Sequence, residues 1–425
     1  MKLLVVGSGG REHALVWALH RSPEETEIYA APGNGGMAEL ATNVPIRAED
    51  VDGIVTFARK EGIDLVVVGP EAPLALGLVD ELQSVGVPAF GPSAAAARIE
   101  SSKTFSKRFM RDHGIPTGAF ASFTDYASAR AYLDAHPAPI VIKADGLAAG
   151  KGVLVCQTDE EAHNALRAVM LERRFGAAGE RVLIEEFLTG QEVSVLAFAD
   201  GEHVEPMILS QDHKAAYDGD RGPNTGGMGC YAPARVLSGP MLQRVVDQVL
   251  QPTVDGLREM GAPYVGVLYA GLMVEGDRFS VLEFNCRFGD PEAQVILPLL
   301  ETDLLAVMEA CLNGDLEQIA LRWTGQTAVC VVLASGGYPG DYERGFEIEG
   351  LDGLAGQPDV YAFHAGTQRT DGRVITDGGR VLGVTAWAGD LPQAMSRAYD
   401  AVGQIRWPGM IYRRDIGAKG LPKEA

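Results

Sequence analysis

Short apolar runs and helix-spaced apolar positions alternate along the first hundred residues. Leu3-Leu4-Val5-Val6 has the length and continuity of a buried strand. Gly7-Ser8-Gly9-Gly10 breaks it, and Ala14, Leu15, Ala18 and Leu19 then recur at helical spacing through residues 11–20. The rhythm returns with apolar runs at 27–30, 65–68 and 87–90 and helix-like stretches at 51–60 and 74–85. Strands separated by helices assemble most readily as a parallel sheet, so this region predicts a Rossmann-type unit to about residue 95.

Residues 101–113 read as a helix. Two apolar runs, 140–143 and 153–156, then flank a tight glycine cluster and predict a hairpin with a glycine-rich tip. Further on, the pattern predicts a helix at 158–171, strands at 182–185 and 192–199, a polar glycine-rich loop at 212–231 and a helix at 242–260. An antiparallel pair follows at 267–274 and 278–284. From about Gly325, short alternating strands at 328–334, 360–364 and 380–388 predict a small separate domain.

Composition narrows the function classes. A chain of 425 residues accommodates two to four domains, and its 52 glycines fall in clusters rather than in a repeat. A net charge of −21 repels nucleic acid and acidic lipid, so an anionic ligand needs a local cationic site. The five cysteines, Cys156, Cys230, Cys286, Cys311 and Cys330, are odd in number and widely spaced, which fits reduced thiols in the cytoplasm rather than a disulfide framework or a zinc site. No apolar run approaches the roughly 18 residues of a membrane span, and the first ten residues are too short for a secretion signal.

Several segments carry candidate chemistry. Gly7-Ser8-Gly9-Gly10-Arg11-Glu12 joins a strand to a helix, where backbone N–H groups favour an anion. The dinucleotide spacing fails, since Glu12 stands where the third glycine belongs, which leaves a sugar phosphate or a structural turn. Lys143 ends a strand beside Gly146-Leu147-Ala148-Ala149-Gly150-Lys151-Gly152, a lysine-bearing loop able to cover a triphosphate; Gly152 stands where a Walker A loop would have Ser or Thr. Glu185-Glu186-Phe187-Leu188 links two strands and can offer backbone groups to an adenine edge, with Glu192 in reach of a ribose; alternatively the acidic pair is simply solvated. On a strand, Glu283, Asn285 and Arg287 share one face while Phe284 and Cys286 face the core. A carboxylate and an amide oxygen so spaced suit Mg²⁺ or Mn²⁺ shared with phosphates, and Arg287 suits an anion; the alternative is a merely polar strand face. Asp212-His213-Lys214 and the loop 222–229 are too glycine-rich for ordinary surface, but their pattern names no ligand.

In sequence order, Gly7-Ser8-Gly9-Gly10-Arg11-Glu12-His13, Val68-Gly69-Pro70-Glu71-Ala72-Pro73-Leu74, the stretch 142–152, Glu185-Glu186-Phe187-Leu188, Ser210-Gln211-Asp212-His213-Lys214, and residues 222–229 and 283–292 resemble the phosphoribosylamine–glycine ligase family of the ATP-grasp superfamily. The likeness runs from residue 1 to about 417. It implies an α/β and α+β multidomain chain: a Rossmann-like domain at 1–100, an ATP-grasp region at 101–325 with a mobile ATP lid at about 117–190, and a small mainly-β C-terminal domain at 326–425. The implied reaction is ATP-dependent ligation of glycine to 5-phosphoribosylamine through glycyl phosphate, in de novo purine synthesis. The implied enzyme is a cytoplasmic monomer or homodimer, with no nucleic-acid or membrane partner.

Carried over residue by residue, the resemblance assigns Lys103 and Lys143 to the ATP phosphates and Gly146, Gly150, Lys151 and Gly152 to the loop covering them. It assigns Glu185, Glu186, Phe187 and Leu188 to adenine, Glu192 to ribose, and Glu283 and Asn285 to Mg²⁺ or Mn²⁺. Arg287 and Asp212 are expected near glycine and the reacting amine. Gly9, Gly10, Arg11 and Glu71 are expected to face phosphoribosylamine, and Lys214 and Asn224 to complete the substrate side. One departure stands out: residues 268–273 contain no acid where many ATP-grasp enzymes have a further metal ligand, so weak metal binding without nucleotide is expected. The competing readings are another ATP-grasp ligase or a bicarbonate-using biotin carboxylase relative, a nicotinamide-dependent oxidoreductase, and a non-catalytic nucleotide sensor.

Overall fold

Strands β1 (Lys2–Gly7), β2 (Glu27–Pro32), β3 (Thr42–Asn43), β4 (Leu65–Val68) and β5 (Ala89–Phe90) form a parallel sheet in the order β3-β2-β1-β4-β5 in the computed structural model, which describes residues 1–146 and 152–422. Leu3 to Val6 are buried on both faces, as the continuous apolar run of a central parallel strand requires. The helix expected at 74–85 is instead two, Glu71–Ala75 and Leu78–Ser84. Gly77 between them takes φ +85°, a left-handed turn open to glycine that apolar spacing does not reveal. The helix expected from 101 begins at Lys103, where the Ser102 hydroxyl accepts from Phe105 N at 3.2 Å; a separate helix, Ala94–Ser101, runs up to that cap.

Strands β6 (Phe120–Phe123), β7 (Ile140–Ala144), β8 (Val153–Cys156) and β9 (Val182–Glu186) form an antiparallel sheet in the order β6-β9-β7-β8. Helices Tyr126–Ala135 and Asp159–Met170 supply Leu133, Leu166 and Val169 to a core shared with Ile142 and Ile184, distinct from the two larger cores of the molecule. The β7–β8 hairpin is as expected; Gly150 and Lys151, at its tip, lie outside the described residues.

After β10 (Gln191–Asp200) and β11 (Val204–Pro206), the stretch expected as a loop contains four short strands: β12 (Gln211–Asp212), β13 (Ala215–Tyr217), β14 (Arg221–Asn224) and β15 (Gly229–Ala232). The next helical stretch starts earlier than expected, capped by Ser238, and passes from Gly239–Val245 through a π-turn, Val246–Leu250, into Gln251–Glu259. The wider turn accommodates Pro252, which has no N–H for a regular α-helical bond. β16 (Val265–Glu275) and β17 (Arg278–Asn285) then complete a sheet in the order β11-β10-β16-β17.

The C-terminal strands are β18 (Thr327–Ala334), β19 (Val360–His364), β20 (Thr367–Thr370), β21 (Arg373–Thr376) and β22 (Arg380–Ala388). Their main sheet runs β12-β15-β18-β22-β19, so two of its strands come from the glycine-rich stretch far upstream of Gly325. That pairing joins segments remote in sequence, and no local pattern announces it.

Candidate active site

A cavity of about 520 Å³ lies where these sheets meet, between the β6–β9 unit and β17. β17 presents Glu283 and Asn285 to it while Phe284 and Cys286 are buried behind, the alternation expected from the sequence. Opposite Glu283 stands Gly271, and the register slips there, so Leu282 is the extra residue of a bulge. The Leu282 carbonyl accepts a hydrogen bond from Lys143 Nζ at 3.3 Å, tying the two walls together.

Cations converge on Glu283. Burial pushes its carboxyl upward, but Lys214, Lys143, Lys103 and Arg287 outweigh that and hold it below the usual range, so it is ionised. Lys103 Nζ donates to the Gly146 carbonyl at 2.8 Å. Lys143 Nζ lies 3.0 Å from one Glu185 oxygen and Lys107 Nζ lies 2.9 Å from the other, with all three side chains at most 7% exposed. Glu185, expected beside adenine, thus turns its carboxylate to the two lysines. Glu186, Phe187 and Leu188 continue along the wall, and Val141, Val153, Val155, Met273 and Leu282 line the same cavity. No motif in the sequence marks this aliphatic wall. Its one signal was Val153 and Val155 spaced by two on a short strand, and Val155 is left 47% exposed.

The opposite end of the cavity is more acidic. Arg287 pairs through Nε with Glu71 at 3.2 Å and through Nη2 with Glu100 at 3.0 Å, and its Nη1 donates to the Phe288 carbonyl. These contacts use three of the five guanidinium N–H groups, and Arg287, expected near glycine, lines the cavity. Burial alone would raise Glu71, yet Arg287 and Arg11 hold it down at about 2. Glu100, which nothing in the sequence pattern marks, also accepts from Cys286 N at 2.7 Å, and burial pushes its own carboxyl up.

Asp212 and Lys214 face the cavity while His213 between them is fully buried on the other side. Burial, reinforced by Glu292 and Glu192 and opposed by Lys214, pushes the Asp212 carboxyl up to about 8. Glu192, expected at a ribose, pairs with Lys214 at 3.0 Å. Glu292 accepts from Tyr269 Oη at 2.6 Å and Ser194 Oγ at 3.1 Å, a buried trio the sequence did not single out. Asn224, at the end of β14, lines the rim.

For the glycine turn at 7–10 the sequence leaves a sugar phosphate or a structural turn open. Gly9 N donates to Glu12 Oε2 at 2.6 Å, and Arg11 N faces Asp290 Oδ2 at 3.5 Å, so carboxylates of the chain itself occupy the helix N-terminus. A Cβ on Gly10 would come within 2.3 Å of Gln294 Nε2, so close packing explains that glycine. Of this turn only Arg11 reaches the cavity.

Among the described residues no three His, Cys, Asp or Glu side chains group as a metal site. Glu283 and Asn285 offer one carboxylate and one amide, with four cations close by. Such a pair suits a hard divalent ion only when phosphate oxygens complete its shell.

A β-hairpin lysine, an aliphatic wall and a Glu-x-Asn strand lining one cavity are the arrangement of the ATP-grasp class. The chain resembles in fold the biotin carboxylase domain of the 2-oxoglutarate carboxylase of Hydrogenobacter thermophilus, solved with MgADP and bicarbonate, at TM-score 0.75 and 18% identity over 97% of this chain and 91% of that one. Family models match residues 1–100 as the phosphoribosylglycinamide synthetase N domain, 101–293 as its ATP-grasp (A) domain and 328–419 as its C domain. The phosphoribosylamine–glycine ligase of Allochromatium vinosum is 50% identical over all of both chains, and that of Synechocystis is 52% identical over 99% of this chain and 100% of its own. The crystal structure of the Thermotoga maritima phosphoribosylamine–glycine ligase aligns at TM-score 0.85 and 32% identity, covering 98% of this chain and 100% of that one. The chain belongs to the phosphoribosylglycinamide synthetase family, the phosphoribosylamine–glycine ligases.

Proposed function

We propose that the chain condenses glycine with 5-phosphoribosylamine, converting ATP to ADP and phosphate and yielding glycinamide ribonucleotide for purine synthesis. The observation that carries this reading is the convergence of Lys103, Lys143, Lys214 and Arg287 on the ionised Glu283 in one cavity. Polyphosphate next to a carboxylate needs such a set of charges, and a surface of net charge −21 supplies them nowhere by default.

Adenine lies against the wall of Val141, Val153, Val155 and Met273 and the backbone of Glu186 to Leu188. Lys103 and Lys143 neutralise the phosphates, under the loop that includes Gly146 and Gly152. Glu283 and Asn285 would hold Mg²⁺ or Mn²⁺, whose chemistry there would be Lewis-acid stabilisation of phosphate charge. The glycine carboxylate attacks the γ-phosphorus and ADP leaves. The amine of phosphoribosylamine then attacks the carbonyl carbon of glycyl phosphate, and phosphate departs in place of an oxide that could not. The amine sheds a proton in that step, and Asp212, raised to about 8, is matched to accept it near neutral pH. Arg11 and Glu71 face the ribose side, with Arg287 orienting Glu71.

The working division is a Rossmann-like domain at 1–100, an ATP-grasp region at 101–325 with a lid at about 117–190, and a C-terminal domain at 326–425, acting in the cytoplasm as a monomer or homodimer. The separate core of β6 to β9 supports the lid, and five free thiols support the compartment. The test is ADP release with Mg²⁺ and ATP while glycine and fresh phosphoribosylamine are each omitted in turn. Release that requires both is expected; release driven by bicarbonate, or indifferent to both substrates, would refute the reading.

A further inference from the structure

Arg413 has among the largest of the fully buried side chains, yet it does not line the cavity. Its guanidinium is spent on one other segment and on its own neighbour. Nη1 donates to the Ala215 carbonyl at 3.1 Å and to Asp220 Oδ1 at 2.9 Å, while Nε and Nη2 grip both oxygens of Asp415 at 2.8 and 2.7 Å. Around it, Asp415 accepts from Gly219 N at 2.8 Å, Arg414 N donates to Asp218 at 2.7 Å, and Lys419 meets Asp220 at 2.7 Å. Ala215 and residues 218–220 belong to the β13–β14 hairpin.

Apart from Ala215 and Ala216, which are buried, the hairpin is largely exposed. Two strands alone are marginal in water, and every residue of β14 is exposed. Its open end is nevertheless a wall of the cavity: Ala215 pairs with Asn224, and the Lys214 carbonyl accepts from Thr225 N at 2.8 Å. Lys214 and Asn224 are therefore placed by a hairpin whose turn the C-terminal segment holds. On the far side Arg380 Nη1 donates to the Gly226 and Asp290 carbonyls at 2.6 and 2.7 Å, securing the return of the same loop.

We propose that Arg413 is a positioning residue for the substrate side of the site, its buried guanidinium strapping the Ala215–Asn224 hairpin so that Lys214 and Asn224 stand in the cavity. The inference rests on the function proposed above. It gives the stretch 413–419 a part in turnover although none of it touches the cavity.

Asp220→Asn is the mildest probe: asparagine tolerates the positive φ of 54° at this position, and Arg413 keeps its grip on Asp415. Arg413→Lys is the second probe, and if it fails to fold, Asp220→Asn decides alone. Hydrogen–deuterium exchange of the free protein is read over residues 213–229, alongside KM for each substrate. Faster exchange confined to that segment is expected, with KM for glycine or phosphoribosylamine raised about tenfold or more by misplacement of the wall, and KM for ATP little changed. Unchanged exchange at 213–229 overturns the proposal, as does lowered thermal stability with every KM unaltered. A parent chain inert toward glycine and phosphoribosylamine would sink the functional reading instead, leaving the exchange data to judge the strap.

Discussion

Glu185→Gln probes how the phosphate-facing lysines are held. The carboxylate sits between two ammonium groups at 2.9 and 3.0 Å, and none of the three side chains is more than 7% exposed. Glutamine keeps the shape and one carbonyl oxygen but removes the only anion directly paired with either lysine among the described residues. Removing one partner of a buried pair typically costs 3–5 kcal/mol, because a charge is left without compensation. Lys143 can still lean on the Leu282 carbonyl and the field of Glu283, so the lower end, about 3 kcal/mol, is the expected loss. That is roughly a hundredfold in the opening equilibrium of the β6–β9 unit. Trp17, Trp323, Trp387 and Trp407 all lie outside that unit, so tryptophan fluorescence would miss the change. Native-state amide exchange of β7 and β9 is the assay, with ATP affinity alongside. Because both lysines depend on one carboxylate, Lys107→Met combined with Glu185→Gln should cost less than the sum of the two. Opening free energies within about 1 kcal/mol of the parent would refute the claim that Glu185 carries the charge balance.

Glu283→Gln should fold normally and lose turnover, and calorimetric titration of Mg²⁺ onto the nucleotide-free parent should show no tight binding, since one carboxylate among four cations is a poor site by itself; submicromolar binding would contradict this. With Asp212 raised to about 8, kcat/KM should climb as pH rises toward that value, because only the ionised form accepts a proton, and Asp212→Asn should flatten that limb. His364 is depressed to about 4 by burial, with Arg369 adding to it. Its folded pKa lies below the unfolded value near 6.5, so this contribution is whole above pH 6.5 and fades as pH falls toward 4, by on the order of 3 kcal/mol at most. Unfolding midpoints measured across that interval should fall in the parent and fall less in His364→Asn.

What the sequence disclosed followed from how far apart the interacting groups lie along the chain. The alternation through Glu283, Asn285 and Arg287 and the βα rhythm before Phe90 depend on neighbours a few residues away, and both were readable. Residues whose importance lies in a partner elsewhere were not. Glu100 matters because Arg287 folds onto it, Lys107 because Glu185 does, and β15 because β18 pairs with it. The glycine turn at 7–10 is ambiguous for a related reason: its motif suits a bound anion or a structural turn, and Glu12 and Asp290 of the chain itself lie against its backbone.

The sharing of strands across the sheet β12-β15-β18-β22-β19 decides where this molecule tolerates recombination. A chimera that borrows residues 117–190 from a relative would import a body with its own core, and the crossing contacts to rebuild would centre on Lys107, Asp145 and Glu185. A junction near 325, where the local pattern changes most visibly, would instead pair β15 of one parent with β18 of the other and Asp220 with a foreign Arg413. The boundary that looks cleanest in the sequence is therefore the one least suited to cutting.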